Sequence, residues 1–193
     1  MSDDDVLDAW YQLEFSVRRS MRYHTRRRAF YEFWHRATAA TAVIFGSATL
    51  TTIFAKLPAG YTVASALVVT ALGSIDLVVG FASNAWTHAD LARRFIDLEK
   101  DMVAAERSEL ELRRLTAARL NIERDEPPVL AVLNAICHND LVRAMGLPDS
   151  ETATIGWWQR QFAQVFDLNL HKVAKRPTAD SLVHESTVIG VGK

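Results

Sequence analysis

The sequence predicts an all-α protein: a two-span transmembrane helical hairpin whose long helices extend into a cytoplasmic helical bundle. Three observations predict it. No residue between Arg36 and Lys56 carries a formal charge. After the short break Lys56-Leu57-Pro58-Ala59-Gly60, a second apolar run over residues 61–87 carries only Asp76. The stretches on either side repeat their apolar residues at helical spacing and hold nearly all the charge. A helix needs about 20 mostly apolar residues to cross a bilayer core of about 30 Å, and both runs reach that length. A soluble bundle with this pair at its centre is the competing reading. Thr38, Thr41, Ser47, Thr49, Thr51 and Thr52 speak for it, because they make the first run less apolar than a leucine-rich span. Length and absence of charge coincide twice in succession, which favours the membrane.

In chain order, residues 1–36 form an amphipathic cytoplasmic helix. Asp3, Asp4 and Asp5 suit a helix N-terminus, and Val6, Trp10, Leu13, Val17 and Met21 mark one apolar face. With no Pro or Gly before Gly46, this helix runs on into the first span, residues 37–55. Tyr31 and Trp34 stand just before the uncharged run, where amphipathic aromatics favour the headgroup layer. The hairpin covers residues 37–87, with the second span over 61–84. Residues 88–168 are a cytoplasmic helical region. Leu91, Phe95, Leu98, Met102 and Ala105 form an apolar face that Leu112, Leu115 and Ile122 continue, and the face Val6-Trp10-Leu13-Val17 is its partner. Asp125-Glu126-Pro127-Pro128 opens the next helix, with an acid as N-cap and Pro in the first turn, and Gly146-Leu147-Pro148 closes it. Residues 155–168 make a last short helix bearing Trp157, Trp158, Phe162, Val165 and Phe166, packed on the bundle or lying in the membrane surface as an aromatic anchor. Residues 169–193 read as a flexible tail.

Seven arginines precede the first span (Arg18, Arg19, Arg22, Arg26, Arg27, Arg28 and Arg36), opposed over residues 18–36 by Glu32 alone. The loop between the spans offers only Lys56, and Arg93 and Arg94 follow the second span. Positive residues close to a span stay inside, so both termini face the cytoplasm. The formal net charge of −1 over 193 residues gives no bulk attraction to nucleic acid. A single cysteine, Cys137, excludes an intramolecular disulfide. No stretch has the layout of a cleaved signal peptide.

The second span sorts its residues. On a helix of 3.6 residues per turn, Thr62, Ser65, Val69, Gly73, Asp76, Gly80, Ser83, Asn84 and Thr87 fall in one stripe, with Leu67, Leu72, Ile75 and Val78 elsewhere. Thr62, Ser65, Gly73, Asp76, Gly80, Ser83 and Asn84 are therefore the candidates for lining a pore or packing helix on helix. A carboxylate at the bilayer centre costs about 2.5–3.5 kcal/mol on insertion scales, so such residues face a bundle interior or a wet cavity. Asp76 is read as a pore-lining or gating acid repeated around an oligomer, or as an interfacial acid paired with an arginine. Gly73 and Gly80 permit close helix contact. Two helices cannot enclose a pore, so conduction needs a homo-oligomer.

Chemistry is absent from the remaining motifs. There is no P-loop, dinucleotide fingerprint, Gly-x-Ser-x-Gly or His-Glu-x-x-His. Cys137 and His138, adjacent on a helix, point about 100° apart, which favours a buried thiol and a hydrogen-bonded imidazole over a catalytic pair. No catalytic residue, metal site or cofactor is expected, and the chain is not expected to be an enzyme.

The order of features resembles the SLATT family, prokaryotic two-span proteins associated with SMODS nucleotidyltransferases and SLOG sensors. The residues that carry the resemblance are Arg22-Tyr23-His24-x-Arg26-Arg27-Arg28 before the first span, the uncharged hairpin, Arg94-Phe95, Asp125-Glu126-Pro127-Pro128 and Cys137-His138-Asn139-Asp140, over roughly residues 10–168. The resemblance implies a pore-forming effector of a bacterial conflict system that permeabilises the inner membrane when a sensor protein or nucleotide second messenger triggers it. No additional sensing domain is expected within these residues, so the trigger is expected to be sensed by a partner. Any phosphate or partner contact would fall on the basic face of Arg22, Arg26 and Arg27. A non-conducting membrane scaffold that recruits a cytoplasmic partner is the alternative.

Overall fold

The computed structural model describes residues 2–56 and 58–168. Six α-helices make up most of them: α1 (Asp3–Phe54), α2 (Ala59–Val79), α3 (Phe81–Ala104), α4 (Glu109–Glu123), α5 (Ala131–Ala144) and α6 (Trp157–Phe162), with a 3-10 turn at Asp149–Glu151. There is no strand among the described residues. The tail over residues 169–193 lies outside them. The chain divides into two compact units, one built from residues up to Tyr23 and from Leu91 onward, the other from His24–Asp90.

In the first unit, the start of α1 offers two apolar faces. Trp10, Leu13 and Val17, at i, i+3 and i+7, meet Leu91, Phe95, Leu98 and Met102 of α3 and Leu112, Leu115 and Ile122 of α4. Phe15 packs instead with Leu141 and Val142 of α5. Tyr23 packs with Val132, Leu133, Ile136 and Cys137 of α5 and with Ala163. The half-buried pair Arg18–Glu99, 2.6 Å apart, ties α1 to α3.

Three boundaries differ from the sequence reading. Leu112, Leu115 and Ile122 do not continue α3. They belong to a separate helix, opened by Ser108, whose hydroxyl accepts the Glu111 backbone N–H at 3.3 Å, with Glu109 and Glu111 in the first turn. α5 does not begin at Asp125-Glu126-Pro127-Pro128 but at Ala131. Asp125 is drawn to Arg94, 2.9 Å away, and that hydrogen bond holds its carboxyl below the usual range. The open end of α5 is served by the Asp167 carboxylate, which accepts the Ala131 and Val132 N–H groups at 2.9 Å each, while the Tyr23 hydroxyl accepts the Leu130 N–H. The last helix is shorter than residues 155–168. Its aromatic residues do not pack inward. α5 ends as expected: Gly146, at φ 69, lets the Leu147 N–H reach the Val142 carbonyl.

In the second unit, α1 continues without interruption through the uncharged run to Phe54, and α2 returns after a turn in which Lys56 takes φ 53. The second span expected over residues 61–84 is not one straight helix. Gly80 is left-handed, at φ 63 and ψ 52, and separates α2 from α3. Its N–H donates to the Asp76 carbonyl at 2.7 Å, and the Asn84 amide donates to the Val79 carbonyl at 2.7 Å. Glycine adopts this conformation without the Cβ penalty. Among the described residues one helical stretch, Ala59–Ala104, is long and apolar enough to cross a membrane, and 6% of its apolar window is buried. The uncharged residues 37–54 of α1 carry five threonines. Those threonines return their hydroxyls to the helix: Thr41 donates to the Ala37 carbonyl, Thr49 to Phe45 and Thr51 to Ser47.

Candidate functional site

The seam between α1 and α2 is built from α2 residues at i, i+3, i+7, i+10 and i+14: Thr62, Ser65, Val69, Leu72 and Asp76, all at least half-buried in a helix that, Val68 apart, is otherwise exposed. Hydroxyls meet across it. Thr52 Oγ1 and Thr62 Oγ1 lie 2.8 Å apart, and Thr49 Oγ1 and Ser65 Oγ lie 2.6 Å apart. Further along, Asp76 Oδ1 stands 3.9 Å from His35 Nδ1. That carboxylate oxygen is buried and has no hydrogen-bond partner. The three pairs run in opposite order along the two helices, which makes the packing antiparallel.

The predicted stripe is thus divided. Thr62, Ser65 and Asp76 turn toward α1 of the same chain. Gly73 is exposed, and a Cβ built there would have nothing within 4 Å. Beyond the Gly80 break the register changes: Ser83 is exposed, and Asn84 folds back on the carbonyls of Val79 and Gly80. Asp76 meets a histidine rather than an arginine.

Aromatic residues gather near Gly80. Phe81 is buried and stacks on Trp34, centroids 6.4 Å apart and planes at 20°. Phe33 meets Trp34 edge-on at 5.7 Å, and Phe33, Trp34 and Trp86 are all exposed. Beside them lies the most buried polar cluster of this unit. His24 of α1 and His88 of α3 face each other with Nδ1 atoms 2.9 Å apart, both nearly inaccessible. Tyr31 stacks on His88 at 5.6 Å and 12°. Arg27, itself buried, sits over the Tyr31 ring at 4.6 Å and donates to its hydroxyl. Burial, then His24 and then Arg27, pushes the His88 imidazole down to about 4. Of the three arginines expected on a phosphate-ready face, Arg22 and Arg26 are exposed, and Arg27 is turned into this cluster.

The first unit holds a polar cleft of about 400 Å³, lined by Asn139, Asp140 and Arg143 of α5 and by Asp149, Thr152 and Arg160. Asn139 fixes its wall, exchanging two hydrogen bonds of 2.7 Å with the Ala153 backbone. Cys137 is wholly buried, and His138 bonds the Glu151 carbonyl at 2.8 Å with its ring edge-on to Phe15. No group of three metal-ligating side chains occurs among the described residues.

Comparison with family models, curated proteins and solved structures returns no match. The side chains themselves therefore carry the functional argument.

Sequence reasoning gave no role to His35 or His88 and named His24 only within the motif before the first span. A signal for them exists. An antiparallel hairpin pairs residues equidistant from its turn, and His24 and His88 stand equally far on either side of Lys56. His35 and Asp76 are nearly so.

Proposed function

We propose that the chain is a membrane-embedded effector whose copies assemble into a pore. α1 over residues 37–55 and α2 form a two-span hairpin, both termini face the cytoplasm, and the assembly is a homo-oligomer. The observation that carries this reading is the state of α2: an apolar helix left almost wholly exposed, with its one carboxylate turned inward against His35. Apolar surface of that extent calls for lipid or further protein, and an acid at that depth calls for a partner or a wet cavity. Gly73, open on the outer side, lets the backbone of a second copy approach closely. Asp76 acts as the gating acid, leaving His35 when the pore opens. The SLATT resemblance supplies the setting: the inner membrane of a bacterium under phage attack, with a sensor protein or nucleotide second messenger as trigger.

Reconstitution into dye-loaded vesicles tests it. The wild-type chain is expected to release dye, and Asp76→Asn to change the rate without changing the amount inserted. Intact vesicles at full insertion of both proteins would overturn the proposal.

The second reading is a non-conducting scaffold that recruits a cytoplasmic partner. The polar cleft between α5 and the Thr152–Arg160 side favours it. Toxicity that survives changes at Asp76 and Gly73 but needs Arg143 would support it.

A further inference from the structure

Residues 156–168 carry their aromatic side chains on the wrong side for a core. Trp157 and Trp158 are 62% and 65% exposed, and Phe162, Val165 and Phe166 are exposed with them. The rings form a continuous ladder. Trp157 meets Trp158 edge-on at 4.5 Å, Trp158 stacks on Phe162 at 6.2 Å, and Phe162 on Phe166 at 5.5 Å, the last two pairs within 12° of parallel. The spacing 158, 162, 166 keeps them on one side.

The opposite side of the segment is fastened down. Ala163 is buried against Tyr23 and α5. Gln159, also buried, accepts the Gly156 N–H at 2.8 Å and donates to the Leu168 carbonyl at 2.9 Å. Asp167 holds the start of α5. The backbone is fixed by small and polar residues while four aromatic rings face outward, so the ladder is preformed.

We propose that this ladder docks into the headgroup layer of a bilayer and anchors the first unit to the membrane surface. Three features choose lipid over protein. Tryptophan pairs beside a cation favour the boundary between headgroups and acyl chains. Over residues 153–166 the only charge is Arg160, which is exposed and suits a lipid phosphate; of the acids beside this stretch, Asp167 is engaged by the Ala131 and Val132 N–H groups, and Asp140 and Asp149 line the cleft that Arg160 also borders. Stacking the ladder on that of a second copy would bring two Arg160 side chains together. The anchor rests on the membrane reading above: a chain with a span keeps a bilayer within reach of its other unit at high effective concentration.

The test uses the full chain in vesicles of phosphatidylcholine and phosphatidylglycerol in equal parts, with and without brominated acyl chains. Trp34→Phe with Trp86→Phe leaves the ladder pair and the buried Trp10 as emitters. Emission is expected to fall roughly twofold in brominated vesicles and to shift to the blue, and Arg160→Glu to reverse much of that loss. Unchanged emission that iodide quenches places the ladder in water. Unchanged emission shielded from iodide places it under protein, whether a second copy, another partner or residues 169–193. Either result overturns the anchor. The companion chain with Trp157→Phe and Trp158→Phe reports Trp34 and Trp86. If brominated lipid quenches these but not the ladder, the anchor alone falls. If it quenches neither, the membrane reading falls with it.

Discussion

The Nδ1 atoms of His24 and His88 lie 2.9 Å apart, deep in the second unit, so one imidazole donates while the other accepts. The arrangement holds only while the pair carries at most one added proton. His88 has an ordinary value of 6.5 and is pushed down to about 4 in the fold, by burial first and then by His24 and Arg27. Below 6.5 the unfolded chain takes up a proton that the folded chain refuses. The stability contributed by neutral His88 is therefore complete above 6.5 and is lost as pH falls toward 4, by about 2–3 kcal/mol in order of magnitude. Thermal unfolding at pH 7.5 and 4.5 checks this. His88→Gln is expected to lose less stability across that interval than the wild-type chain.

Gly80 supplies the second prediction. Its φ of 63 lies where an L side chain is strained, although the space around a Cβ is ample, with Ser83 Cβ the nearest atom at 3.9 Å. Gly80→Ala is expected to cost about 1–2 kcal/mol. Backbone strain alone sets that cost, because no clash is involved. A lowered unfolding temperature in detergent, with near-normal behaviour for Gly73→Ala, is the expected pattern. Equal effects at the two glycines would refute the assignment.

The periodic parts of this fold were legible in the sequence. Trp10, Leu13 and Val17 meet Leu91, Phe95, Leu98 and Met102 as their spacing requires, and α1 runs from the acidic start through the uncharged stretch because no proline stands in it and the lone Gly46 is tolerated. The break after α3 was also readable, since Ser108 with Glu111 three residues on is a helix-start signal. The start of α5 was not. Two prolines beside acids look like a helix entry, but the cap comes from Asp167, 36 residues away from Ala131. The Gly80 break was hidden because glycine inside an apolar run serves equally well for close helix packing. At the candidate site, the polar stripe was visible but its direction was not. Only the fold shows Thr62 and Ser65 consumed by Thr52 and Thr49.

That remote cap gives a third prediction. Both Asp167 oxygens receive N–H groups, from Ala131 and Val132, at the positive end of the α5 dipole. Asp167→Ala is expected to destabilise the first unit by about 1–2 kcal/mol, and Asp167→Asn by less, because the amide keeps one acceptor. Asp125→Ala, at the acid that sequence alone would have named, is expected to cost less than Asp167→Ala, since its pair with Arg94 is solvent-exposed. Denaturant titration of the three variants checks the order.

The hydroxyl pairs of the α1–α2 seam give the last. If Thr49 and Ser65 bond each other within one chain, their energies are coupled. If Ser65 faces another copy across a pore, they are independent. The separation of 2.6 Å argues for coupling, and hydroxyl pairs between membrane helices are worth about 0.6 kcal/mol on average in double-mutant cycles. Thr49→Val, Ser65→Ala and the double variant, unfolded in detergent, are expected to show a coupling of about that size. Each hydroxyl also has a carbonyl within its own helix, Phe45 for Thr49 and Thr62 for Ser65. A lone survivor therefore keeps an acceptor, and the single variants are expected to cost little. Strict additivity, together with a change in oligomer size for Ser65→Ala alone, would move Ser65 from the seam of one chain to the contact between chains.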